Sequence, residues 1–256
     1  MADETELPDD VALLWGMRNA PRRGPKATLT ADDITRAAIA VADADGLGAV
    51  SMARVAAELG NSTMALYRHV RSKDELLALM ADAAFESPPE LPADADWRSG
   101  LMLWARHNLA AARRHPWFAQ LPIGAPPIGP TSLAWFDSAL GALSGTGLSE
   151  PEKVGVVMGM LTYVHGEIRL RTSLRAGYAA NPEAFGPRYG ELLKRLVDAR
   201  RLPALSAVVE AGVFDQDDLY EEEETQAEFE FGFSLFLDGV ERFIAGQSPE
   251  PTRRRE

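Results

Sequence analysis

Apolar side chains recur along this chain at intervals of three and four, while alternating runs of β-branched residues are scarce. That spacing lines one face of a helix; a strand, with a period of two, cannot use it. Ala, Leu, Met, Glu and Arg predominate, all of them good helix formers. The pattern predicts an all-α protein without internal repeats. Thr30 is placed to cap a first strong helix, with Asp32 and Asp33 complementing its dipole and Ile34, Ala37, Ala38, Val41 and Ala42 on one face. Gly46 and Gly48 close it. Ser51 caps a second helix over 52–59, which Gly60 ends. Asn61 or Ser62 opens a third, reaching to about Val70. Ser72 opens a fourth, with Leu76, Leu77, Leu79 and Met80 behind it, and it stops before Pro88.

The proline- and acid-rich stretch 86–96 is the expected domain boundary. In front of it lie an extension and basic arm (1–27) and a small domain (28–86). Behind it lie a larger helical domain (97–246) and a tail (247–256). Helices are predicted in the larger domain at about 97–115, 130–144, 151–175, 182–200, 203–212 and 217–246. Loops are predicted at 122–130, which holds four prolines, and at 177–187. Val11, Leu13, Leu14, Trp15 and Met17 fit a brief helix within 7–19. Residues 20–27 do not, because two prolines and a glycine break the backbone pattern. They read as an extended arm carrying Arg22, Arg23 and Lys26.

Charge and composition narrow the function classes. The chain carries a net charge of −12, yet the stretch 22–76 holds 8 basic residues against 7 acidic ones. Between Asn61 and Lys73 there is no acid, only Arg68, Arg71, Lys73 and His69. An acidic body with one locally basic face suits a protein that meets DNA on that face alone. There is no cysteine, so neither disulfides nor thiolate metal sites are expected, which fits the reducing cytoplasm. The acidic start does not read as a secretory signal, and no run approaches the ~20 apolar residues of a membrane span. No phosphate-binding glycine loop, cysteine nucleophile or His-x-x-x-His pair is present. The expectation is a protein that is not an enzyme and uses no cofactor and no metal. The run Glu221–Glu224 reads as a solvated helix start.

The stretch from Val50 to Val70 carries the function. Two helices of about two turns cross around a tight turn, and Gly60 supplies the turn by accepting positive φ. Val55, Leu59, Leu66 and Val70 are placed to bury against the first helix, with Ala56 and Ala57 small enough for close approach. Ser62, Thr63, Met64, Tyr67, Arg68 and His69 then face outward. Short polar groups, an aromatic and cations suit base edges, thymine methyls and phosphates in a major groove.

With its capped first helix, Ala-Asp-Gly turn, Ser51-capped second helix, Leu-Tyr-x-His-Val ending and Lys-Asp-Glu-Leu-Leu opening, the stretch LTADDITRAAIAVADADGLGAVSMARVAAELGNSTMALYRHVRSKDELL resembles the N-terminal domain of the TetR (tetracycline-repressor-like) family. The resemblance implies a three-helix helix-turn-helix domain followed by a C-terminal ligand-binding and dimerisation domain. By that resemblance Ser62, Thr63 and Met64 face bases, Tyr67, His69 and Lys73 hold phosphates, and Ser51 and Arg54 approach the backbone. The implied partners are double-stranded operator DNA, a small-molecule effector and a second copy of the chain.

In the second domain Trp104, Trp117, Phe118, Trp135 and Phe136 fit a core first and a pocket second. The polar groups His107, Asn108, Thr162, His165 and Arg169 on mostly apolar helices, with Trp104, Trp135 and Met158, are the candidate effector contacts. The resemblance extends towards tetracycline repressors through Trp97 and His115-Pro116. No histidine falls in 85–96, where a family sensor histidine belongs, and Trp104 stands at a polar position of the pocket; a more apolar effector is expected. Val157, Leu161 and Val164, with Gly155 and Gly159, and Phe233, Phe236 and Val240 form helical stripes. The resemblance assigns these stripes to an intermolecular four-helix bundle. The other reading is an all-helical small-molecule-binding or enzymatic domain in which the front motif only packs.

Overall fold

The computed structural model describes residues 7–18, 29–92, 94–122, 126–182, 188–215 and 222–247. Among them every regular element is helical. Two compact units are present, 1–164 and 165–256. The basic arm at 20–27, the Glu221 end of the acidic run and the Arg253–Arg255 tail lie outside the described residues.

In the first unit, α1 is Asp9–Leu14, α2 Ala31–Asp45, α3 Met52–Glu58, α4 Thr63–Tyr67 and α5 Lys73–Ala83. α6 is Trp97–Arg114, followed by a 3₁₀ turn at Pro116–Gln120, and α7 is Pro130–Ala142. The caps act as the sequence suggests. Thr30 Oγ1 accepts from the Asp33 amide at 3.1 Å, while Asp33 Oδ2 accepts from the Thr30 amide at 3.1 Å, a reciprocal capping box. Ser51, Ser62 and Ser72 each accept from the amide three residues on, satisfying donors that a helix start leaves open.

The first-domain core comprises Ile34, Ala38, Val41, Val50, Val55, Leu66, Val70, Leu76 and Met80, all buried, and it takes in Trp117 and Leu121 from beyond α6. Each of the Ile, Val, Leu and Met side chains among them contributes about 1.5–3 kcal/mol on burial. Leu59 is only half-buried and Ala57 is exposed. Of the two small residues expected at the helix crossing, Ala56 alone is used, because Ala57 lies about 100° further round the helix.

α8 (Glu150–Ala180) runs through both units and enters the second at His165. It passes Gly177, where a loop was expected. An interior glycine costs only about 1 kcal/mol, and the alanines around it favour the helix. The second unit continues with α9 (Arg188–Leu196), α10 (Pro203–Glu210) and α11 (Glu222–Gln247). Phe229 stacks on Phe233 at 5.6 Å and Phe233 on Phe236 at 5.8 Å. Arg171 is paired with Glu167 and, at 2.7 Å, with Glu228.

Candidate nucleic-acid interface

α3 ends in a Schellman turn. The Gly60 amide donates to the Ala57 carbonyl (3.1 Å) and the Asn61 amide to that of Ala56 (2.9 Å). The turn needs φ = +62° at Gly60, a conformation that costs a side-chain-bearing residue about 1 kcal/mol or more. It sends the chain into α4, with Leu66 and Val70 buried and the opposite face open to solvent.

That face gathers the sequence candidates. Ser62, Met64, Tyr67 and Arg68 are exposed, Thr63 and His69 half-exposed, and Ser51, Arg54 and Lys73 exposed beside them. Met64 is 68% exposed, an apolar group held in water and suited to a thymine methyl. The cations differ in freedom. Arg54 is paired with Asp45 at 3.1 Å and lies 3.9 Å from Glu58. Arg71 is paired with Asp9, and its hydrogen bond holds the Asp9 carboxyl below the usual range. Among the described residues Arg68 and Lys73 make no ion pair, so both are available to phosphate without displacing a carboxylate.

Side-chain ties bind this head to the helices behind it. Asp43 of α2 accepts from Trp117 Nε1 at 2.6 Å and lies 2.8 Å from His115 Nδ1. Asp82 of α5 accepts from the amides of Thr131 (3.2 Å) and Ser132 (2.9 Å) and from the Ser132 hydroxyl (2.8 Å). It thus caps α7 from outside, at the positive end of that helix's dipole. Trp135 Nε1 donates to the Glu86 carbonyl at 2.7 Å. No local sequence signal marked Asp43 or Asp82, because their partners lie 49 to 74 residues away.

The effector candidates divide. Trp104 and Trp135 are buried edge-to-face at 5.1 Å, and Trp104 Nε1 donates to the Trp135 carbonyl at 2.9 Å. Asn108, one turn along α6 from Trp104, is 4% exposed, and among the described residues its Oδ1 has no hydrogen-bond partner. A buried acceptor left unpaired costs about 1–3 kcal/mol and marks a place where a ligand or water belongs. His107, Met158 and Thr162 are exposed and not gathered with this buried group. In the second unit Arg169 is exposed. Burial, and then the charge of Arg169, hold His165 below the ordinary imidazole pKa.

The dimer candidates divide as well. Val157, Val164, Phe233 and Val240 are buried by their own chain, and Leu161 and Phe236 partly so. α11 instead exposes Phe231 (69%), Leu235 (57%) and Phe243 (49%). With Gly239 they form a row at four-residue spacing. α11 therefore carries two apolar stripes, one buried by its own chain and one exposed.

Among the described residues no group of three His, Cys, Asp or Glu could hold a metal ion, and no helix is long and apolar enough to cross a membrane.

Residues 34–80 match the model of bacterial regulatory proteins of the tetR family, and residues 88–244 match the tetracyclin repressor-like C-terminal domain. The HTH-type transcriptional repressor DrrR1 of Streptomyces coeruleorubidus is 38% identical over 259 residues, 96% of this chain and 92% of that protein. The Streptomyces coelicolor TetR family protein ActR in complex with (S)-DNPA superposes with a TM-score of 0.71 at 26% identity, over 86% of this chain and 100% of that one. ActR in complex with actinorhodin gives a TM-score of 0.68 at 26% identity, over 88% and 99%. With the helix-turn-helix geometry in front and the matched domain behind it, the chain belongs to the tetR family of bacterial regulatory proteins and is a DNA-binding regulator of transcription.

Proposed function

We propose that the chain is a cytoplasmic repressor, not an enzyme, which binds a pseudo-palindromic operator as a homodimer and leaves it when a small molecule binds behind the reading head. The carrying observation is the outer face of α4, where Met64, Tyr67 and Arg68 stand in solvent beside Lys73. The head spans 28–86 and the effector-binding and dimerisation domain 97–246. Ser62, Thr63 and Met64 read bases; Tyr67, Arg68, His69 and Lys73 hold phosphates. Ser51 approaches the backbone, and Arg54 joins it once it leaves Asp45. A gel-shift titration against the DNA flanking the gene, with an unrelated duplex as competitor, tests this. Saturable, competitor-resistant binding to one inverted repeat is expected; equal binding to both duplexes refutes it.

Two heads must be joined for a palindrome, with half-sites about 34–36 Å apart or a multiple of that. The exposed row Phe231, Leu235 and Phe243 on α11 is the surface that joins them. Replacing Phe231 and Leu235 together with Glu puts charges where a second copy packs. Sedimentation is then expected to show a monomer with operator affinity reduced by more than about a hundredfold, since each lost half-site contributes several base pairs at about 1–3 kcal/mol apiece. A variant that remains dimeric refutes this surface.

The effector has an apolar body and a hydrogen-bond donor that meets Asn108 Oδ1 near Trp104 and Trp135. DrrR1 is a repressor and ActR binds actinorhodin, which makes actinorhodin the first probe. A complete switch from 1:99 to 99:1 requires the effector to favour the released state by about 5.5 kcal/mol. Asn108→Leu removes the orphaned acceptor at similar volume, so the thermal midpoint is expected to hold or rise. The actinorhodin concentration that releases operator DNA is expected to rise about tenfold, the worth of one buried hydrogen bond. Unchanged release would remove Asn108 from the site.

A further inference from the structure

The segment 7–18 lies in front of both matched regions, 34–80 and 88–244, yet it is packed into the reading head. α1 lies against α5, with Val11 and Leu13 buried. At its end Arg18 forms a two-pronged pair with Glu75, Nη2 to Oε1 at 2.7 Å and Nη1 to Oε2 at 3.0 Å. Both side chains are only 15% exposed. The same Nη1 reaches the His69 carbonyl at 3.4 Å, directly after the recognition helix. Glu75 Oε2 also accepts from the Arg71 amide at 2.7 Å. Arg18 therefore closes a ring around the segment that leaves α4: guanidinium, His69 carbonyl, Arg71 amide, Glu75 carboxylate. From the same segment Asp9 holds the Arg71 side chain. At its other edge Trp15 Nε1 donates to the Ile128 carbonyl at 3.0 Å, in the loop that precedes α7.

The physical need is plain. α4 has five residues, too few to be stable without support from tertiary packing. Leu66 and Val70 hold its inner face, but its exit carries His69 and Arg71 towards the DNA-facing surface. A planar guanidinium has the fork geometry to bind a carboxylate and a neighbouring carbonyl together, which a lysine cannot reproduce. The Arg18 hydrogen bond is also the leading cause that keeps the Glu75 carboxyl below its ordinary range, against the opposing effect of burial.

We propose that Arg18 is a positioning residue for DNA recognition: through Glu75 and the His69 carbonyl it sets the exit of the recognition helix, and the segment 7–18 straps that exit to the loop before α7. This rests on the DNA-binding reading above. The strap gives the effector domain a further route to the recognition helix, besides α5 and the ties of Asp43 on α2.

The test uses full-length protein and the duplex that wild type enriches from a random pool. Arg18→Gln is expected to lower affinity for that duplex about tenfold, as loss of a charge-assisted bonding group does. Affinity for an unrelated duplex should change by less than twofold, because Arg68 and Lys73 keep their charges. The exchange Arg18→Glu with Glu75→Arg restores an ion pair but sets a carboxylate against the His69 carbonyl. Its thermal midpoint is expected to recover while selected-duplex affinity stays low. Should Arg18→Gln fail to fold, the exchange variant decides alone. Affinity within twofold of wild type in Arg18→Gln, or affinity that follows the thermal midpoint across both variants, overturns the positioning role. If wild type enriches no duplex, the DNA reading falls and the positioning role falls with it.

Discussion

Raising the salt from about 50 to about 200 mM is expected to weaken operator binding by on the order of a thousandfold. The figure follows from the cations on the reading face. Arg54, Arg68 and Lys73 stand exposed on each head, so a dimer meets about six phosphates, and each contact adds close to 0.9 to the logarithmic salt slope. With a net charge of −12, the rest of the protein repels the duplex, and attraction is confined to this face. Lys73→Ala, which removes one cation per head, is expected to flatten the slope by about two. Arg54→Ala should flatten it less, because Arg54 already neutralises Asp45 at 3.1 Å and has to exchange one anion for another. Binding isotherms at four or five salt concentrations measure both. A wild-type slope near zero would mean that phosphates are not the partner of this face.

The second large effect is expected at the joint between α5 and α7. A Cβ built on Gly129 falls 2.1 Å from Asp82 Oδ1 and 2.4 Å from its Cγ, well inside contact distance. Gly129→Ala therefore leaves two outcomes. Either Asp82 swings away and forfeits its bonds to Thr131 and Ser132, or the start of α7 lifts from α5. Losing a charged cap costs about 1–2 kcal/mol, and overpacking about 1–3. For a chain of this length 1 kcal/mol lowers the thermal midpoint by roughly 2–4 °C, so a fall of several degrees is expected. Asp82→Ala should cost a similar amount for a different reason, by leaving the α7 amides uncapped. The pair must be non-additive: once Asp82 is alanine, Gly129→Ala meets no carboxylate and should add almost nothing. Additive losses would show that the clash is not the cause. Because the joint links the head to the helices beside Asn108, both single variants are also expected to bind operator DNA while needing more actinorhodin for release. Wild-type release in Asp82→Ala would place the coupling elsewhere.

Much of this molecule was legible in the sequence, because the relevant forces are local. Thr30, Ser51, Ser62 and Ser72 cap helices through bonds that span three residues. Gly60 makes its turn through its own φ. Helical periodicity alone put Leu66 inside and Met64 outside, since the two side chains point about 200° apart. Glycine as a stop signal was less dependable: Gly46 and Gly60 end helices, whereas Gly177 lies inside one. The difference depends on whether the following residues favour helix and find packing.

What the sequence determined by itself was therefore the class of elements, their order and the outward face of the recognition helix. Each follows from caps, periodicity and backbone freedom within a few residues. Tertiary structure decided which of two apolar stripes on α11 is spent on the protomer's own core and which stays exposed. It also decided that Asp82 caps a helix 49 residues away, that Asn108 is buried with no partner for its Oδ1 among the described residues, and that Arg18 holds the exit of α4. These outcomes depend on groups brought together from distant parts of the chain. Their energies exist only once the intervening chain has folded, so no local pattern of residues announces them.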